Sequence, residues 1–202
     1  EKFEPGLKYC FNDVLQVANF AKLENSSKKS DYKIKPIFIV GVPRCGSTLV
    51  EKVVGSGKKF IPMGEEVAVM ENFVNNKIVE KKSLNLGKVE SIRDELVDIY
   101  RDKGLIQEKS NFVFTDKSLN NFFYLALIKE IFPQAKVINC RRRALSSIIS
   151  IFQNNLTELS WAHNLENIFK YFDNYFKIIS EFKKKYSNFV YDLDFENFTN
   201  NP

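Results

Sequence analysis

The sequence holds one histidine and three cysteines, and it has no long apolar run. Cys10, Cys45 and Cys140 lie far apart and match neither zinc-ligand nor C-x-x-C spacing. A structural zinc site and a dithiol redox centre are therefore excluded, and the cysteines read as free thiols in a reducing compartment. No stretch approaches the ~18 consecutive apolar residues of a membrane-spanning helix. The opening EKFEPGLKYC lacks the order of a secretory signal, so a cytoplasmic location is expected. Charge of one sign is also scarce: 30 Lys+Arg against 25 Asp+Glu leave +5. That excess suits a small anionic ligand and, without a focused basic patch, does not point to nucleic acid. The single histidine, His163, falls beside Trp161, away from the other candidate residues, and is not read as a catalyst.

What the chain does have is apolar residues, 44% of its 202, with 19 phenylalanines among them. That suffices for one domain with an aromatic-rich core. Short apolar runs at 36–40 (PIFIV), 111–115 (NFVFT), 135–140 (AKVINC) and 188–193 (NFVYDL) read as buried strands. Helical spacing lies between and around them. It covers 12–23, with Val14, Val17, Ala18 and Ala21 on one face, and a helix from Ser47 with Leu49, Val50, Val53 and Val54 inward. Further helices are expected from near Glu65, over 86–104, over 120–132 and over 144–155. A long amphipathic helix over 165–182 places Leu165, Ile168, Phe169, Phe172, Phe176, Ile179 and Phe182 on one side. Strands alternating with helices predict an α/β fold: three layers, with a central parallel sheet flanked by helices. Ligands of such sheets bind beyond the carboxyl ends of the strands. Arg44 to Thr48, Asp116 and Lys117, and Arg141 to Arg143 each follow a predicted strand.

Gly41-Val42-Pro43-Arg44-Cys45-Gly46-Ser47-Thr48 fits the phosphate-loop pattern G-x-x-x-x-G-K-[ST] at every fixed position except the lysine. Ser47 stands in its place, and a cation, Arg44, comes three positions earlier. The glycines let backbone N–H groups turn toward an anion, and the helix from Ser47 adds its positive end. The alternative is an ordinary strand–helix turn capped by Ser47.

PIFIVGVPRCGSTLVEKVV closely resembles the P-R-S-G-T-T-L-V-E segment of the sulfotransferase family, nearest to its bacterial tetratricopeptide-linked and protein-tyrosine branches. Gly64-Glu65-Glu66, TDKSLNNFFYLALIKEIFPQAKVINCRRR, LSWAHNLENIFKYFDNYFKIISEF and YDLDFENFTNNP extend the likeness over nearly the whole chain. The resemblance implies the sulfotransferase fold, P-loop-like, in a single domain over 1–202 that ends before the family's closing carboxyl-terminal segment. It implies 3′-phosphoadenosine 5′-phosphosulfate (PAPS) as co-substrate, no required metal, and a small-molecule, glycan, lipid or peptidyl hydroxyl as acceptor.

Carried over by residue, Arg44, the amides of Cys45 and Gly46, and the hydroxyls of Ser47 and Thr48 would bind the 5′-phosphosulfate. Arg142 and Ser150 would bind the 3′-phosphate. Lys117 would stabilise charge at the transferring group, and Glu65 or Glu66 would be the general base. Alignment from the Gly-Glu-Glu end favours Glu66; counting from Arg44 favours Glu65. Cys45 replaces a serine of the family pattern, and Arg141-Arg142-Arg143-Ala144 replaces R-R-D-P, whose lost Asp-Pro pair normally starts the next helix. Two other readings stay open: a magnesium-dependent kinase or NTPase, with FVFTD as a Walker B-like strand, and a module that binds the nucleotide without turnover.

Overall fold

The computed structural model describes residues 4–16, 22–24, 33–57, 59–80, 85–107, 112–154 and 156–200. Six strands are present among them: β1 (Lys22–Glu24), β2 (Ile37–Gly41), β3 (Asn85–Lys88), β4 (Thr115–Asp116), β5 (Lys136–Arg141) and β6 (Val190–Asp194). The helices are α1 (Glu4–Lys8), α2 (Ser47–Gly55), α3 (Val69–Val74), α4 (Val89–Asp102), α5 (Leu125–Ile131), α6 (Ala144–Gln153), α7 (Leu165–Lys185) and α8 (Phe195–Asn200). The main sheet has the order β4-β2-β5-β6 with every neighbouring pair parallel. A parallel pair needs a long crossover, and helices supply it here. β1 and β3 form a separate parallel pair.

The order of the sheet decides where a ligand can sit. From β2 the chain crosses to β4 on one side, then passes over β2 to β5 on the other. The loop leaving β2 therefore opens at the point where the winding reverses, beyond the carboxyl ends of the strands. β2 is an unbroken apolar run because both faces are covered: Phe38, Ile39 and Val40 are completely buried. Burial of such side chains stabilises the fold by about 1.5–3 kcal/mol each. Aromatic rings fill much of the core, with Tyr100 and Phe114 4.7 Å apart and Trp161 stacked on Tyr171 at 3.8 Å.

Several elements differ from expectation. In α2, Leu49 and Val53 are exposed, whereas Ser47, Val50 and Glu51 are buried. The helix expected near Glu65 starts at Val69, so Glu65 and Glu66 lie in a turn ahead of it. Of the second strand, expected over 111–115, only Thr115 pairs regularly, in β4 with Asp116, although Lys35 N and Ile37 N donate to the Phe112 and Phe114 carbonyls and continue the ladder. The fourth strand is shifted to Val190–Asp194. In α7, Tyr171 and Tyr175 are inside, and Phe169 and Phe176 face outward. The helix over 120–132 begins as a 3-10 turn, Leu119–Tyr124, and α4 is preceded by β3. Of the face expected over 12–23, Val14 is buried, while Val17, Ala18 and Ala21 lie outside the described residues.

Candidate active site

The loop after β2 folds back on its own strand. A Cβ on Gly41 would lie 2.8 Å from Cys45 Sγ and 2.9 Å from the Cys140 carbonyl, so only glycine fits. Arg44 and Gly46 have φ of 68° and 90°. A left-handed arginine costs roughly 1–3 kcal/mol, and Arg142 Nη1 helps hold it by donating to the Arg44 carbonyl at 2.9 Å. No side chain caps α2, whose first turn closes on the Gly46 carbonyl. The amino end of this helix therefore presents backbone donors to the mouth of the loop.

The cations after the strands do not all go to the same place. Arg44 Nε donates to Ser150 Oγ at 3.0 Å, joining the loop to α6. Arg142 is half-buried, with its guanidinium 5.8 Å from the centre of the Phe195 ring. That ring packs on Gly46 so closely that a Cβ there would come within 2.1 Å of it. Arg141 turns to Asp192, and Arg143 to Glu196. The helix α6 forms without an Asp-Pro start, with Arg143 at its cap position and Ser147 N donating to the Arg143 carbonyl.

A second group of residues gathers around β4. The segment 62–65 runs along that strand: Thr115 N donates to the Pro62 carbonyl, Gly64 N to the Thr115 carbonyl, and Lys117 N to the Gly64 carbonyl. A Cβ on Gly64 would meet the Thr115 carbonyl at 2.5 Å, so the close approach requires glycine. This docking brings Glu66 to Lys117: Nζ donates to Glu66 Oε1 at 3.3 Å. The lysine is 4% exposed and the Glu66 side chain 75% exposed. Glu65 is exposed too, and its carbonyl accepts from Lys117 N. Ala68 N donates to Ser118 Oγ, fixing the turn to the next step of the same segment.

Buried acids surround the pair. Asp116, wholly buried, accepts from Tyr100 OH at 2.6 Å, Ser118 N at 3.0 Å and Asn121 Nδ2 at 3.0 Å. Burial raises its carboxyl, and these donors draw it back. With its oxygens committed to the core, Asp116 does not present the open carboxylate that a Walker B strand offers a metal. Glu51, 1% exposed, accepts from Thr115 Oγ1 at 2.5 Å, and burial raises its carboxyl as well. The Cys45 and Cys140 thiols are buried together, and their mutual hydrogen bond holds Cys45 below the usual thiol range while pushing Cys140 up. His163 lies in the short turn Ser160–His163 ahead of α7.

The structure thus brings Arg44, Arg142 and Ser150 together, and separately Glu66 and Lys117, all past the carboxyl ends of β2, β4 and β5. Sequence reasoning missed Glu51, Thr115 and Phe195. A signal for Glu51 existed: if Ser47 faces inward, helical spacing turns 50, 51 and 54 inward with it.

A sequence profile described as "Sulfotransferase family" matches residues 36–202. An uncharacterized protein of Aquifex aeolicus (strain VF5) is 28% identical over an alignment of 184 residues that covers 83% of this chain and 24% of that protein. The chain spans about a quarter of the length of that relative. Among solved structures, a sulfotransferase from Mycobacterium tuberculosis H37Rv aligns with a TM-score of 0.47 at 12% identity, covering 99% of this chain and 69% of that one. The profile match begins one residue before β2 and runs through Arg44, Glu66, Lys117, Arg142 and Ser150; this chain belongs to the sulfotransferase family.

Proposed function

We propose that this domain moves the sulfuryl group of PAPS to an acceptor hydroxyl, with Glu66 as general base. The observation that carries the reading is the Glu66–Lys117 pair: a carboxylate and a cation 3.3 Å apart beyond the carboxyl end of β4, next to the loop strand. PAPS supplies an activated sulfuryl group on a nucleotide with a 5′-phosphate and a separate 3′-phosphate. The residues fit such a ligand. The left-handed turns at Arg44 and Gly46 and the uncapped amino end of α2 suit one anion, and Arg142 and Ser150, both in contact with Arg44, suit the other.

Glu66 takes the acceptor's proton as its oxygen bonds to sulfur. The bond from sulfur to the bridging oxygen breaks, leaving the electron pair on the 5′-phosphate. Lys117 and Arg44 meet the charge that develops there, where fixed cations lower the barrier most. Glu66 is preferred over Glu65 because its carboxylate is the one held to Lys117. Arg142 and Ser150 bind the 3′-phosphate, which would discriminate against ATP, since burying such groups unpaired is costly. Cys45 and Gly46 contribute backbone N–H groups, and Ser47 and Thr48 contribute hydroxyls.

The test has two parts. Calorimetric titration should show adenosine 3′,5′-bisphosphate binding in preference to ATP-Mg; the opposite preference sinks the proposal in favour of a kinase or NTPase. Labelled PAPS offered with hydroxylated acceptors should give transfer that disappears in Glu66→Ala while bisphosphate binding persists. Binding with no transfer to any acceptor would leave a nucleotide-holding module instead.

A further inference from the structure

Glu51 is an acid in an expensive place. It lies on α2, one turn past Ser47, and is almost completely buried. Its carboxylate accepts from Thr115 Oγ1, and that same oxygen accepts from Gly64 N at 3.3 Å. The chain Glu51–Thr115–Gly64 therefore ties together the helix of the phosphate loop, the strand that leads to Lys117, and the turn that carries Glu66. A glutamine could accept the same hydrogen bond without the desolvation cost of an ionised carboxyl. What glutamate adds is charge.

The charged groups whose fields reach Glu51 are Lys117, which favours its ionised form, and Glu65 and Asp116, which oppose it. Lys117 thus has an exposed carboxylate, Glu66, in contact and a buried one, Glu51, within its field. Resting on the function proposed above, we infer that Glu51 is a positioning residue for the transfer: it is the buried counter-charge of Lys117 and the anchor of the turn bearing Glu66. The role matters most at the moment of reaction. Glu66 becomes neutral as it takes the acceptor's proton, and its attraction for Lys117 falls. Glu51 remains as a buried negative charge within reach of the lysine's field, so the lysine stays placed while negative charge grows on the leaving nucleotide.

The test compares wild type with Glu51→Gln, which keeps an acceptor for Thr115 and loses the charge. We expect kcat to drop about tenfold, since such preorganised charge acts on the transition state, with the affinity for adenosine 3′,5′-bisphosphate unchanged. Burial raises the Glu51 carboxyl above its usual range, so it becomes neutral early as pH falls. The wild-type to Glu51→Gln ratio of kcat should therefore approach one toward acid pH and widen toward neutral pH, a trend that a purely structural role would not produce. If Glu51→Gln does not fold, Thr115→Val reads the anchoring half of the role, with kcat lowered and bisphosphate affinity kept. A Glu51→Gln variant that matches an active wild type at every pH overturns this role alone, as does a ratio that stays constant. A wild type that transfers nothing overturns the proposed function and this role with it.

Discussion

The two ends of the site are built differently. Around the phosphate loop, Arg44, Arg142 and Ser150 are exposed or half-buried, and they hold one another through a side chain–hydroxyl and a side chain–carbonyl contact. Around β4, Lys117, Thr115, Asp116 and Glu51 are buried, with Thr115 bonded to Glu51 and Asp116 to Tyr100, while Glu66, like Glu65, is exposed. A rim of long cations can rearrange when an anion arrives, because its present partners are replaceable. A buried network cannot, since each unpaired polar group would carry a desolvation penalty. The loop end is thus suited to binding and the β4 end to holding fixed charge during a reaction.

The strongest way to break that contrast is Lys117→Ala. Loss of a preorganised charge of this kind costs roughly 10²–10³ in kcat, and affinity for adenosine 3′-phosphate, which lacks the 5′-phosphate that Lys117 would face, should stay nearly constant. A variant that mainly loses affinity in titration would show that the two ends are not separate.

Next in size, Arg142→Ala should weaken bisphosphate binding by about 1.5–3 kcal/mol, the worth of a hydrogen bond to a charged group. Binding of adenosine 5′-phosphate, which lacks the 3′-phosphate, should barely change. Equal losses for both nucleotides would reject Arg142 as the 3′-phosphate ligand.

Gly64→Ala sharpens the contrast from the structural side. The added methyl must displace the Thr115 carbonyl or Leu105, an overpacking that costs about 1–3 kcal/mol, so the melting temperature should fall and kcat should fall with it. An unchanged melting temperature would mean that the turn does not dock on β4.

The smallest effect is expected at Asp192, which belongs to neither group. It accepts from Lys183, Arg141 and Asn139, and despite partial burial these partners hold its carboxyl below the usual range. A depressed folded value means that its stabilisation is present above the ordinary carboxylate range and is lost as pH falls through the folded value. Denaturant unfolding of Asp192→Asn should show a deficit of about 1 kcal/mol or less at neutral pH, as for partly exposed pairs. The deficit should vanish in acid.

The sheet was largely readable from the sequence. PIFIV and AKVINC are short apolar runs with β-branched residues, and strands covered on both faces leave just that signature. The phosphate loop was readable for a related reason: its residues are consecutive, so spacing alone carries the geometry. The inward face of α2 was not. Hydrophobicity favoured Leu49 and Val53, but the packed helix buries Ser47 and Glu51 and leaves those two in solvent. The same limit hid Phe195, whose contact with Gly46 joins residues 149 positions apart, a separation that no local pattern encodes.

By itself the sequence determined the alternation of strands and helices, the loop, and the cations that follow the strands. All of these rest on neighbours along the chain and on the rule that carboxyl ends of parallel strands face the ligand. Between Glu65 and Glu66 it gave two countings and two answers. Only the tertiary structure set Glu66 against Lys117, across 51 residues. That contact exists because the segment 62–65 lies along β4 by backbone hydrogen bonds, a register fixed by the absence of a side chain at Gly64.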